Sequence, residues 1–258
     1  MAARGGVVHV ASRHQPGVTG RTETTPWHEV DLLSPGAPAR LIAATRPALL
    51  LHLAWDVTPG AYWMSPGNAQ WQTATAALAK AFFDAGGRRF VGAGTCAEYD
   101  WTSGVCDEAT TPIAPASVYG KAKAAAWEAV AEIAAAAGGR AAWGRVFFPY
   151  GGDDEHPSRL VPSVRNAIRR GEPALCTPGD QRRDFLHVDE VARAFVALAF
   201  SEVDGAVNLG SGKARAVREL VMEVAEELGR PDLVRLGALP ADPVPLVVAA
   251  RPWGQVLN

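Results

Sequence analysis

Cysteine is scarce in this chain, and so is lysine. Only Cys96, Cys106 and Cys176 occur in 258 residues, widely spaced and without a Cys-x-x-Cys pair. That excludes a disulfide framework or a zinc module and suits a reducing compartment. The six histidines show no metal-ligand spacing, so no metal site is expected. No apolar run reaches the ~18 residues of a membrane span. The N-terminus lacks the apolar core of a signal peptide. These absences describe a cytoplasmic protein with no membrane partner. A net charge of −2 leaves no bulk basicity for a nucleic acid or an anionic surface. Any polyanion site must therefore be local. Only four lysines are present, so the cations are mostly arginine, a residue suited to bidentate phosphate recognition.

What is present is ordinary globular material, 48% hydrophobic and 20% charged. The length allows one large domain, or one domain with a small appendage. Residues 6–12 (GVVHVAS) read as a β-branched strand, 27–33 as a short strand ending at Asp31, and 35–46 as a helix. Residues 48–55 (ALLLHLAW) form a near-continuous apolar run, the pattern of a strand buried on both faces. A helix over 70–85, a strand over 89–95, a helix opening near Tyr119 and a strand over 141–148 follow. Strands alternate with helices across short connections. That pattern predicts an α/β fold, a doubly wound parallel sheet whose ligand lies beyond the carboxyl ends of its strands. After Gly152 the character becomes polar and proline-containing. Helices are expected over 164–170, 189–200 and 217–228, with strands over 173–177 and 206–209. Residues 1–150 read as the dinucleotide-binding part. Residues 151–258 read as mostly substrate-binding, with 177–209 returning to the sheet.

The stretch 115–128 (PASVYGKAKAAAWE) organises this pattern. Tyr119 and Lys123 stand four apart in an alanine-rich helix, so they share a face. A nearby ammonium favours the phenolate and lowers a tyrosine pKa. Such a pair can serve as acid/base at a carbonyl or alcohol carbon. With four tyrosines and four lysines, the spacing arises by chance in ~6% of such chains. The competing reading is a packed tyrosine beside a solvated lysine. Thr95, Trp55 and Phe148 end neighbouring strands, which brings them to the same edge.

With these residues placed, the chain resembles the extended short-chain dehydrogenases, the NAD-dependent epimerase/dehydratase family that acts on nucleotide-sugars. The matching stretches run in order: LHLAW (51–55), GTCAEYD (94–100), SVYGKAK (117–123), GRVFFPYG (144–151), RLVPSV (159–164), RRDFLHVDEVA (182–192) and VNLGSG (207–212). The resemblance implies Tyr119 as the acid/base, Lys123 on the nicotinamide ribose and Thr95 bonded to the reacting oxygen. It implies that Leu53, Ala54, Trp55 and Phe147 line the cofactor, with Asp31 at the adenine edge. It places Cys96, Phe148, Arg159 and Arg183 against the substrate, the arginines on its diphosphate. It also implies a homodimer through the two helices beside Tyr119. Some residues read equally well without it: Cys96 as an apolar filler, Asp189 as a helix N-cap, and Asn208 as a nucleotide contact or a turn residue.

Departures from the family are equally informative. The expected first strand and Gly-x-x-Gly-x-x-Gly turn are not found, and Gly17-Val18-Thr19-Gly20 is a lone fragment of such a motif. The strand over 6–12 then corresponds to the family's second. Either the start lies further upstream, or the chain is a truncated and inactive member. Cys96-Ala97 replaces the Asp-Glu pair of the sugar dehydratases, which disfavours 4,6-dehydration. Phe148 replaces the usual asparagine. Ser12-Arg13 at the strand end favours NADP over NAD. The expectation is an NAD(P)-dependent 4-ketoreductase or epimerase of a nucleotide-sugar. The alternative is an inactive member kept as a binding or scaffold protein.

Overall fold

A computed structural model describes residues 6–14, 25–152, 155–241 and 246–256. The fragment 17–20 lies outside these residues. In chain order the elements are β1 (Val10–Ser12), β2 (Trp27–Glu29), α1 (Ala37–Thr45), β3 (Leu49–His52), α2 (Asn68–Asp84), β4 (Arg89–Thr95) and β5 (Val105–Cys106). Then come α3 (Val118–Ala136), β6 (Arg140–Val146), β7 (Phe148–Tyr150), α4 (Leu160–Arg169), β8 (Ala174–Leu175), β9 (Arg182–Arg183), β10 (Phe185–His187) and α5 (Val188–Phe200). The chain continues through β11 (Gly205–Leu209), β12 (Arg215–Ala216), α6 (Val217–Glu227), β13 (Val234–Arg235), β14 (Val248–Ala249) and α7 (Trp253–Val256).

The centre is a parallel four-stranded sheet in the order β11-β6-β4-β3. Alternation along β4 separates its two faces. Phe90 points to α2 and α3, into a core with Leu78, Phe82, Val130 and Trp143. Val91 points the other way, to α5, into a core with Val191, Phe195, Leu198 and Leu209. Burying each such large side chain contributes ~1.5–3 kcal/mol. Gly92 matters here, because any Cβ would collide with the Trp143 ring of the adjacent strand. A third core joins α4 to α6 through Val161, Val164, Ile168, Leu220, Val221 and Val224.

Three expectations need correcting. β1 and β2 form a parallel pair of their own, so the sheet is interrupted beside β3. β3 is therefore an edge strand of its sheet. It spans only four residues, Leu49 to Leu51 are half-buried, and Leu53 is 53% exposed rather than buried on both faces. The run over 141–148 is not one strand either. It stops at Val146, and after Phe147 the chain turns to pair β7 with β10 instead. Finally, the N-cap of α5 is His187, whose Nδ1 accepts the Asp189 amide at 3.3 Å; Asp189 stands in the first turn.

Some side chains fasten these layers. Arg89 is buried at the C-terminal end of α5, donating to the carbonyls of Leu198 (2.8 Å), Ala199 (3.2 Å) and Val203 (2.7 Å) and to Asp204 (2.8 Å). Asp184, fully buried, accepts from the Ser211 amide (2.6 Å) and hydroxyl (2.5 Å), Gly212 (3.0 Å) and Ala249 (3.1 Å). It ties the loop after β11 to β14. No helix among the described residues is long and apolar enough to cross a membrane.

Candidate active site

The carboxyl end of β4 and the first turn of α3 meet at one point. Thr95 ends β4 with extended backbone and caps the single 3-10 turn Cys96–Glu98. Its Oγ1 accepts the Ala97 amide at 3.2 Å. Ser117 caps α3 by accepting the Gly120 amide at 3.0 Å. Gly120 lets this helix start lie directly on the 3-10 turn, because any Cβ there would overlap the Ala97 carbonyl. Tyr119 is thereby carried to the end of β4, beside Thr95. Lys123 follows one turn later on the same helix face.

Both members of the Tyr/Lys pair are buried, Tyr119 to 8% exposure and Lys123 to 3%. Burial pushes the Tyr119 hydroxyl above its ordinary value. The nearby Tyr62 adds to this rise, and the neighbouring Thr95 hydroxyl opposes it. Burial lowers the Lys123 amine to about 7, while Glu98 pulls it back up. The expected lowering of the tyrosine by the ammonium is thus reversed. The reason is geometric. Lys123 Nζ turns to the Ala93 carbonyl at 2.7 Å and sits 3.9 Å from the Trp55 ring centre, but 6.0 Å from that of Tyr119.

Aromatic rings cover the pair. Tyr62 and Trp63, from the 3-10 turn Tyr62–Met64, meet Tyr119 edge-on at 4.9 and 5.8 Å between ring centres. Trp55 meets it at 6.4 Å and is held by its indole N–H on Asn68 at 2.8 Å. Trp101 reaches Trp63 on one side and Phe148 on the other.

Beyond Trp55 lies a cleft of about 470 Å³ lined by Arg13, Asp56, Thr58, Tyr150, His156 and Arg159. A smaller cavity of about 320 Å³ is lined by His28, Asp31, Ser34 and Arg40. In it Asp31 closes a turn by accepting the Leu33 amide at 3.0 Å. Leu53 and Ala54 are exposed at the end of β3. Phe147 and Cys96 are buried in one apolar cluster with Tyr99 and Cys106, which for Cys96 are the surroundings of a filler. Arg159 lines the cleft, but Arg183 does not. Arg183 is buried with its guanidinium 5.1 Å from the Phe148 ring centre, and it donates to the Arg182 carbonyl at 2.9 Å. Asn208 is not a turn residue. It lies buried within β11, accepting from Tyr99 and donating to the Cys106 carbonyl.

Sequence reasoning missed Glu98 and its partner Arg145. Glu98 is fully buried with an ion pair to Arg145 at 2.7 Å. Both stood inside stretches already singled out, GTCAEYD and GRVFFPYG. An acid and a base at the ends of adjacent apolar strands were the available signal. Tyr62 and Trp63 carried none, because an aromatic pair in a loop has no period.

The model of the NAD dependent epimerase/dehydratase family matches residues 1–210. A dTDP-4-dehydro-6-deoxy-D-allose reductase of Streptomyces bikiniensis is 31% identical over 94 residues. That match covers 36% of this chain and 29% of the reductase. Among solved structures, MoeE5 in complex with UDP-glucuronic acid and NAD is 27% identical with a TM-score of 0.78, covering 99% of this chain and 85% of that one. The UDP-glucose 4-epimerase of Thermotoga maritima has a TM-score of 0.82 at 20% identity, over 97% of this chain and 83% of that one, a likeness of fold. The chain belongs to the NAD dependent epimerase/dehydratase family.

Proposed function

We propose that this chain is an NAD(P)-dependent oxidoreductase or epimerase of a nucleotide-linked sugar, acting by ketoreduction or epimerisation at ring C4. The observation that carries the reading is the placement of Tyr119, in the first turn of α3, beside Thr95 at the carboxyl end of β4, with Lys123 one turn further on. MoeE5 is described with a UDP-sugar and NAD bound, and the Streptomyces relative is a ketosugar reductase by name.

The residues present suit a dinucleotide. A cleft lined by two arginines, Arg13 and Arg159, is also lined by Trp55, and Trp55 lies against Lys123. Arg13, Asp31, Leu53, Ala54, Trp55, Tyr119, Lys123 and Phe147 are the residues assigned to hold it. When bound, the group supplies or accepts a hydride at the sugar carbon. In reduction, Tyr119 gives its proton to the oxygen that gains charge. Its raised pKa keeps that proton in place at neutral pH. Thr95 donates a hydrogen bond to the same oxygen, and solvent returns the proton to Tyr119. Cys96 and Ala97 offer no carboxylate, and Glu98 is held by Arg145, so elimination of water lacks its base. Residues 1–150 are assigned to the dinucleotide and most of 151–258 to the sugar, with a homodimer through α2 and α3.

One observation favours a second reading. Tyr119 and Lys123 are covered by Trp55, Tyr62 and Trp63, and Lys123 is already satisfied by Ala93. A non-catalytic binding protein would show the same arrangement. Titration of the purified chain with NADPH and NADH separates the two, read by nicotinamide fluorescence and by melting. At 100 times its dissociation constant a bound dinucleotide adds ~2.7 kcal/mol of stability. Binding followed by turnover of a nucleotide-ketosugar supports the enzyme. Absence of binding with both cofactors supports the scaffold.

A further inference from the structure

We propose that Glu98 is a positioning residue of this site: its buried carboxylate, with Arg145 as counter-ion, fixes the Thr95 backbone so that the Thr95 hydroxyl meets Tyr119. The proposal rests on the reading of Thr95 and Tyr119 given above.

Glu98 has no exposed surface, and all its oxygens are engaged. Oε1 accepts the Thr95 amide at 2.9 Å and the Trp143 indole N–H at 2.9 Å. Oε2 accepts Nε of Arg145 at 2.7 Å. Arg145 donates onward to the Tyr99 hydroxyl at 2.9 Å, and Tyr99 donates to Asn208 at 2.8 Å. Asn208 donates to the Cys106 carbonyl at 2.9 Å. One connected network therefore runs from the end of β4 across β6 and β11 to β5. Gly94 makes room for it, because a Cβ there would lie 2.6 Å from Glu98 Oε1.

Stability alone is a weak reason for such a pair. Desolvating two charges costs as much as their attraction returns, and apolar side chains of similar volume do as well or better. What an apolar pair cannot do is accept the Thr95 amide. Thr95 is the last residue of its strand, where the ladder no longer fixes it on both sides. The carboxylate closes a capping box across the 3-10 turn and sets the backbone from which Oγ1 projects. The neighbouring charges fit this placement. Glu98 lies near enough to Lys123 to favour its protonated form and to Tyr119 to disfavour the phenolate.

The test uses Glu98→Met and the double variant Glu98→Met/Arg145→Met, each compared with the wild type by melting, steady-state kinetics and amide hydrogen exchange at Thr95. Glu98→Met alone leaves Arg145 buried without its counter-ion and is expected to melt early. The double variant removes both charges and is expected to recover the melting temperature. If Glu98 positions Thr95, kcat falls ~10–100-fold in both variants, while KM for the nucleotide-sugar changes by less than ~3-fold. Thr95 amide exchange quickens in both. Recovery of kcat together with melting temperature in the double variant would make the pair structural only and overturn the proposal. So would wild-type exchange at Thr95 in that variant. If the wild type itself turns over no nucleotide-sugar, the proposed function falls, and Thr95 exchange still decides whether Glu98 holds that residue.

Discussion

Lys123 donates to the carbonyl oxygen of Ala93 at 2.7 Å, reaching back from α3 to the strand that ends in Thr95. The contact turns the amine away from Tyr119 and into a dry pocket under Trp55. Burial lowers its pKa to about 7, below the ~10.4 of a lysine in an unfolded chain. The unfolded chain therefore binds more protons between those two values, so this group makes the fold gain stability as pH rises from 7 to 10. Its penalty is fully present below pH 7. Lys123→Met removes the penalty. The variant is expected to be more stable than the wild type at pH 6, on the order of a few kcal/mol. The difference should shrink steadily toward pH 10. Urea unfolding at pH 6, 8 and 9.5 measures it. A difference that does not change with pH would contradict the buried-amine account.

Tyr119→Phe removes only an oxygen atom from a ring already packed by Tyr62, Trp63 and Trp55. The fold should survive, with melting within a few degrees of the wild type. Turnover of a nucleotide-ketosugar should fall by ~10²–10⁴, the usual contribution of a positioned acid/base. Thr95→Val should cost less, because Tyr119 keeps its proton while losing one partner. Full activity in Tyr119→Phe would remove this residue from the chemistry.

Much of this arrangement was legible in the sequence, and the reasons for the remainder are physical. The alternation of strands and helices gave β4, α3 and β6 because each is long and apolar with a regular period. The Tyr119/Lys123 spacing fixed a shared helix face. Sequence could not show that Lys123 would choose Ala93 over Tyr119, since that depends on a carbonyl 30 residues away. Nor could it show that β3 is an edge strand, because ALLLHLAW reads the same with one neighbour or two. The motif cannot tell the two expected diphosphate arginines apart: Arg183 stacks on Phe148, while Arg159 lines the cleft. Asp184 stands within the RRDFLHVDEVA stretch, but a clamp across three segments leaves no local pattern.

Asp184 should carry more stability than any arginine on the surface. Four donors converge on it, from Ser211, Gly212 and Ala249, and it is fully buried. Asp184→Ala leaves those donors unpaired, each at ~1–3 kcal/mol, and should lower stability by ~3 kcal/mol or more. Asp184→Asn keeps one acceptor oxygen and should cost less. Denaturation midpoints of the two variants check the order. Equal midpoints for Ala and wild type would mean that the loop after β11 is held by other contacts.

Arg13 tests the choice of dinucleotide. It follows β1 directly and lines the cleft beside Trp55, and its charge reaches Asp56 across that cleft. A guanidinium at this strand end suits the 2′-phosphate of NADP, whereas an acid would suit the free ribose of NAD. A hydrogen bond to a charged group contributes ~1.5–3 kcal/mol, or roughly 10–150-fold in affinity. Arg13→Ala should therefore weaken NADPH by at least ~10-fold and leave NADH nearly unchanged. Raising the salt concentration should narrow the wild-type preference, because an exposed ion pair is screened. Equal losses for both cofactors would mean that Arg13 holds a part common to them, such as the pyrophosphate. The preference would then have to come from the second cavity, lined by Asp31, Ser34 and Arg40.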